Sequence, residues 1–333
     1  MKNSLSLLLC AVLLASCGEL RQKEADLILH NATVYTVNTA FTKAEAVAVK
    51  NGKIIDVGAE REILNRYQSQ NKIDCKRAFV YPGLHTEVYA RFQKDFDMPA
   101  LNKLAESGVT STAIYGGKKL PALLRADSSV LTKNTTYYPA DVETFERLHD
   151  DAERRYNLSG IFTENLKRVK INETITKGIP LHVYQSPADT ALKVLAQYVS
   201  GTNDERRALH IKPNDNLEHK GLLRQNTVIP AAHYLHKQLP ELLEENKILV
   251  LTGGKPIERF QGAVASRLTP RDALRALTIW PAILHFNESK TGSIEKGKNA
   301  DFTILNTDLV GENQVTPKVL YTIIHGKTVY KHD

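Results

Sequence analysis

Residues 81–92 read YPGLHTEVYARF. An apolar approach ends at Pro82-Gly83, and a second strand-like run begins at Leu84, so the stretch reads as the entrance to a barrel. From Leu84 onward, β-type runs recur at 84–90, 109–116, 135–140, 160–165, 180–185, 208–213, 227–232 and 247–253, with helix-like segments between most of them. Eight strands at this spacing predict an α/β fold built on a compact (β/α)8 TIM-like barrel. Between the third and fourth runs, Glu143, Arg147, Asp150 and Arg154 give a helix with a charged outer face. Segment 269–284 opens like another helix: Thr269 suits the N-cap, Pro270 the first turn and Asp272 the positive helix end, and Pro281 redirects the chain.

Both ends of the chain are β-rich. Runs 26–37 and 46–58 carry β-branched and aromatic residues, and Asn51-Gly52 at the centre of the second is a hairpin signal because both positions tolerate positive φ. Residues 59–70 read as a short helix. At the other end, 291–305 alternates and turns at Gly292 and Gly297, and 319–330 reads as two strands around His325-Gly326-Lys327. Matching strands at both ends predict one small sheet domain around an inserted unit.

The 333 residues, 42% hydrophobic and 24% charged, fit a soluble globular protein with well-filled cores. The net charge of +7 is spread among acids, and no basic helix block, zinc-finger spacing or aromatic RNA-binding motif is present, so no nucleic-acid partner is expected. The start, MKNSLSLLLCAVLLASCGEL, has a Lys, a short apolar run and small residues before Cys17: a secretory signal too short to span a bilayer permanently. Leu14-Ala15-Ser16-Cys17 resembles a bacterial lipobox, which implies cleavage before Cys17, lipidation of its thiol and a membrane anchor. By resemblance to sorting rules, Gly18 after it implies the outer membrane of the bacterial envelope. Of the three cysteines only Cys75 would remain, so no intramolecular disulfide is expected.

The segments ILHNATVYTVN, AVAVKNGKIIDVG and FVYPGL at one end, and LTPRDALRALTIWPAILHF and TGSIEKGKNADFTIL at the other, resemble the amidohydrolase superfamily in order and spacing. These are metal-dependent hydrolases such as dihydroorotase, imidazolonepropionase and D-aminoacylase-like enzymes. With the signal peptide read at 1–16 and a tether at 17–24, the resemblance implies a β-sandwich composed of 25–83 and 286–333, and a barrel over 84–285. It also implies hydrolysis of C–N bonds at a divalent metal, zinc or another, held at the C-terminal mouth of the barrel.

The positions that match the family's catalytic residues do not hold the family's side chains. Val88 and Ala90, neither with a donor atom, stand at the strand-one His-x-His, Tyr184 or Gln185 on strand five, and Gly254 at the general-base position, with Pro256 anchoring that match. His210 on strand six is a remnant at most, and three protein ligands are the usual minimum for catalytic zinc. The expectation is therefore no metal cofactor, and a ligand- or partner-binding pseudoenzyme. The alternative is an active amidohydrolase with a rebuilt or metal-free site using His85, Glu87, His182 or His210. If positions 88 and 90 face inward, His85 and Glu87 face the helices, and only a bulge would re-aim them. His233 and His236 read as surface residues. Arg91, Lys118, Gly253, Gly254 and Lys255 follow strands one, two and eight, neighbours in a closed barrel, and form a candidate site for a small anionic ligand. Tyr137, Tyr138 and Tyr184 suit either packing or a ligand wall, and the sequence sets no oligomeric state.

Overall fold

The computed structural model describes residues 22–90, 103–117, 120–126, 129–152, 156–163, 179–185, 207–211, 227–230, 249–252, 254–311 and 316–333. All eight runs expected to form the inserted unit contain strands. Leu84–Val88, Val109–Tyr115, Thr135–Tyr138 and Asn157–Leu158 form one parallel sheet in chain order. Ile161–Thr163, Leu181–Gln185, Arg207–Ile211, Thr227–Pro230 and Leu249–Thr252 form a second. A further short strand, 157–158, precedes the fourth run and pairs with the third strand, while 161–163 within that run pairs with the fifth.

Helices cover one face of the first sheet. Leu120 and Leu124 from Leu120–Ala126, Leu131 from Val130–Lys133 and Leu148 from Val142–His149 pack on Val88, Ile114 and Tyr137. The last helix starts where Asp141 accepts from the Thr144 amide at 2.7 Å, and Glu143, Arg147 and Asp150 are exposed on it as expected. Between the first and last parallel strands lies Arg259, buried on the helix Pro256–Ala265. Its guanidinium donates to the carbonyl oxygens of Leu251 and, at 3.1 Å, His85.

The two chain ends combine in two further sheets. One has the order 327–331, 319–324, 302–305, 79–82, 33–35, 43–44, and the other 53–58, 46–50, 27–30, 72–74. They share a core of Leu27, Leu29, Val34, Val47, Val49, Ile54, Val80, Phe302, Ile304 and Ile323. Cys75 is buried in the same core, which pushes its thiol pKa up to about 12. The Asn51-Gly52 hairpin forms with φ of 51° and 71°, the positive values that its residues tolerate.

Run 26–37 holds two strands: Asn31 takes φ of 52°, so Leu27–His30 joins one sheet and Thr33–Tyr35 the other. One local expectation needs correction. Pro281 is not where the C-terminal helix breaks. Thr269 Oγ1 accepts from the Asp272 amide at 3.1 Å and caps Pro270–Arg275, but the break falls at 276–278. Pro281 then sits in the first turn of Ile279–Leu284, where the helix does not need its missing N–H.

The passage from one fold unit to the other takes a single residue. Phe79–Pro82 is the fourth strand of the larger terminal sheet, Leu84 opens the parallel strands, and Gly83 lies between, its amide donating to Asp301 O at 2.9 Å. A Cβ on Gly83 would stand 1.8 Å from Thr110 Oγ1. Thr110 is also the residue skipped in pairing, since Leu84 faces Val109 and His85 faces Ser111. Gly83→Ala must displace Thr110 and should cost about 1–3 kcal/mol. Urea unfolding of the variant checks this, and a midpoint equal to that of wild type would show that the contact is not tight.

Candidate functional site

The strand Leu84–Val88 alternates apolar and polar residues, and the structure sorts them by face. Leu84 packs with Phe260, Leu274 and Leu251, and Val88 with Leu120, Leu124 and Leu131. Ala90 packs against the same helix-side cluster as Val88. These residues therefore point toward the helical layer, and His85 and Glu87 point to the opposite face. This reverses the expected orientation of His85 and Glu87, and the reason is hydrophobic burial. The helices supply the apolar surface, so the apolar half of the strand's two-residue period turns toward them.

On the opposite face, Tyr89, Tyr115, Tyr138 and Phe162 form an aromatic cluster, with Tyr115 and Tyr138 centroids 5.0 Å apart. His182 on the fifth strand is buried against it, 4.3 Å from the Tyr138 ring centre. His285, just after the helix Ile279–Leu284, completes the group at 5.8 Å from His182 and 5.1 Å from His85.

Polar atoms in this wall are linked. His85 Nε2 lies 3.2 Å from Glu87 Oε1, and His285 Nε2 lies 2.9 Å from the same oxygen. The far ring nitrogens meet hydroxyls: His85 Nδ1 is 3.0 Å from Ser111 Oγ, and His285 Nδ1 is 2.7 Å from Tyr138 Oη. The Tyr115 phenol also interacts with the Glu87 carboxylate.

The electrostatics favour a neutral imidazole beside an ionised carboxylate. Burial lowers the pKa of His85, and this outweighs the pull of Glu87. Burial alone would raise the pKa of Glu87, but the two histidines outweigh it and hold the group well below the usual carboxylate range. Burial, with Glu87 nearby, raises the Tyr115 and Tyr138 phenols well above theirs, so both stay protonated as hydrogen-bond donors. Arg259 stays cationic although burial pulls its pKa down to about 10.

A cavity of about 270 Å³ reaches this group. It lies near the beginning of the parallel strands, and His85, Ser111, Thr136 and His285 form part of its wall. Lys53, Lys133 and Lys290 also line it. Chemically, the set offers imidazole and carboxylate donors, a hydroxyl next to an imidazole, and a basic rim.

Other candidates fare differently. The residues that the resemblance places as metal ligands do not fit a metal: Val88 and Ala90 carry no donor and face the helices, and Gly254 is an exposed turn residue with φ of 66°. Lys255 is exposed, and its amide donates to Glu258 Oε2 at 3.3 Å, so a carboxylate already takes the N–H that an anion would use. Gly116 and Gly117 form a turn with φ of 74° and 84°. Arg91, Lys118, Gly253, His233 and His236 lie outside the described residues. His210 and Gln185 occupy places on their strands, and their side chains, like that of Tyr184, lie outside what is described. His285 was missed by sequence reasoning. The available signal was one imidazole in the apolar run IWPAILHF. Among the described residues, no helix is long and apolar enough to cross a membrane.

Residues 262–330 match the sequence model described as the Amidohydrolase family. No curated protein matches the chain by sequence. The fold is similar to that of an adenosine deaminase from Xanthomonas campestris with bound zinc (TM-score 0.66, 16% identity, 92% of this chain and 93% of that one covered). It is also similar to an amidohydrolase from an environmental sample of the Sargasso Sea (TM-score 0.68, 12% identity, 92% and 93% covered). An uncharacterized metal-dependent hydrolase from Pyrococcus furiosus gives a TM-score of 0.61 at 14% identity, with 86% and 100% covered. A C-terminal segment thus matches the amidohydrolase family by sequence, and the fold of such hydrolases is shared along nearly the whole chain.

Proposed function

We propose that this protein is an envelope-anchored, ligand-binding member of the superfamily that has lost hydrolysis at the family's mouth metal. The observation that carries the reading is the orientation of the first parallel strand. Positions 88 and 90 hold Val and Ala and belong to the apolar layer under the helices, so no pair of imidazoles replaces the family's ligands there. Among the described residues, positions 88 and 90 offer no ligand for the metal that in such sites lowers the pKa of water and polarises a carbonyl. The two parallel sheets are read as halves of one closed (β/α)8 barrel with Arg259 across its seam, and the terminal sheets as a β-sandwich. The shared core of those sheets and the likeness to amidohydrolase structures support this. The ligand class is a small anion, supported by Lys53, Lys133 and Lys290 around the cavity.

A second reading, hydrolysis at a rebuilt site, is favoured by one observation: the buried group His85, Glu87 and His285. The two readings separate in a panel of linear and cyclic amides assayed with and without added zinc. The binding reading expects no turnover above buffer, together with a thermal shift from phosphate or small carboxylates that weakens in Lys133→Ala. Turnover abolished by Glu87→Gln would overturn it.

Anchoring is proposed to be through a lipid on Cys17, with the outer membrane as destination. Several acyl chains on one cysteine give stable attachment, since each buried methylene adds about 0.8 kcal/mol. In a Gram-negative host fed labelled palmitate, the wild-type protein should carry label and sediment with outer membranes. Cys17→Ser should abolish labelling, and a labelled Cys17→Ser protein would refute the assignment.

A further inference from the structure

We infer that His85, Glu87 and His285 form a divalent-cation site in this protein, displaced from the family's mouth position to the wall of the cavity near the beginning of the parallel strands. This goes beyond the binding reading and does not depend on it.

The donor atoms converge. One ligand atom from each of the three residues lies within 4.8 Å of the others, and all three residues are buried. Ligand bonds of about 2.0–2.1 Å around a tetrahedral ion place neighbouring donors about 3.3 Å apart. The observed 3.2 Å and 2.9 Å from Glu87 Oε1 to the two Nε2 atoms are close to that spacing. Two imidazoles and one carboxylate are also a donor set that catalytic zinc proteins use, with one position left open. Here the open position has somewhere to face, because His85 and His285 both line the cavity.

The surroundings suit the bound form. A ligating histidine needs its second nitrogen protonated and held by an acceptor. Ser111 Oγ and Tyr138 Oη stand at 3.0 Å and 2.7 Å from the two Nδ1 atoms, and each oxygen can accept. With Nδ1–H donating outward, both Nε2 lone pairs point at the space beside Glu87.

The same atoms include a chain Ser111–His85–Glu87 that resembles a nucleophile, a base and an orienting acid. That arrangement needs one imidazole. It leaves the second, His285, aimed at the same carboxylate oxygen with its own hydroxyl behind it, without a purpose. A cation uses both. Two imidazoles and one carboxylate suit zinc, which serves as the probe, with cobalt as a spectroscopic stand-in.

The test is made on the full-length protein in detergent, purified without chelator, stripped and then titrated with zinc chloride. The expected result is about one zinc per chain by mass spectrometry, a rise in melting temperature on zinc addition, and a visible four-coordinate spectrum with cobalt. Glu87→Gln and His285→Ala should each lower zinc affinity at least tenfold. Tyr138→Phe, which removes the hydroxyl behind His285 and keeps the ring, should lower it about tenfold. His182→Ala, whose ring packs beside the site, should keep the stoichiometry. Because a variant at a buried position can fail to fold, the zinc-dependent melting shift of the wild-type protein is read independently of any substitution. Stripped wild type that neither binds zinc nor changes its melting temperature would overturn the inference. So would zinc binding that Glu87→Gln and His285→Ala both leave intact, or fluorophosphonate labelling of Ser111 in metal-free protein. Bound zinc without amide turnover supports this site and leaves the binding reading standing. Turnover lost on chelation supports this site and overturns the binding reading.

Discussion

A β-strand has two faces, and the apolar half of its period must go where apolar surface is on offer. On Leu84–Val88 that rule sends Leu84 and Val88 to the helices and turns His85 and Glu87 toward the aromatic wall. The candidate site depends on this one assignment. Shifting the strand's phase by one residue would bury a carboxylate and an imidazole among leucines and leave valine facing Tyr115 and Tyr138. The entry point holds the phase in place. Gly83 lies flat beneath Thr110, the residue that the pairing skips, and Arg259 and Leu277 hold the His85 backbone from the other side.

Much of the architecture was legible in local patterns. The parallel strands fall where β-branched runs recur, the hairpins form at Asn51-Gly52 and His325-Gly326, and Thr269 caps a helix as its hydroxyl allows. These features are set within a few residues. The site was only partly legible, because its orientation was borrowed from the family's His-x-His positions rather than taken from the strand's own alternation. Leu84, Thr86 and Val88 against His85, Glu87 and Tyr89 already carried the information. His285 is a different case. It meets Glu87 across nearly two hundred residues of chain, and no spacing rule links them. The split at Asn31 was hidden for a related reason, since an asparagine can continue a strand or turn left-handed, and the partner sheets decide.

Charges buried outside the site act as fasteners. Asp301 is buried between the two fold units, accepting from Asn134 Nδ2 at 2.9 Å and from the His325 amide at 2.8 Å. Burial outweighs these contacts and raises its pKa. Arg259 supplies the complementary case, a cation whose hydrogen-bond acceptors are backbone carbonyls of two parallel strands. Each is hydrogen-bonded by fixed groups from distant parts of the chain, so each specifies a single juxtaposition where hydrophobic contact alone would permit several.

The interleaving of the two chain ends has a consequence for biogenesis. Strand Phe79–Pro82 is flanked by Thr33–Tyr35 on one side and by Phe302–Leu305 on the other. Until the last residues are available, one edge of that strand is bare and the apolar faces of Val80 and Val34 have no Phe302 or Ile304 to meet. Completion of the terminal sheets must therefore wait for the whole polypeptide, however early the middle condenses. A chain made from its N-terminus carries this open edge until residues 302–305 are available to close it.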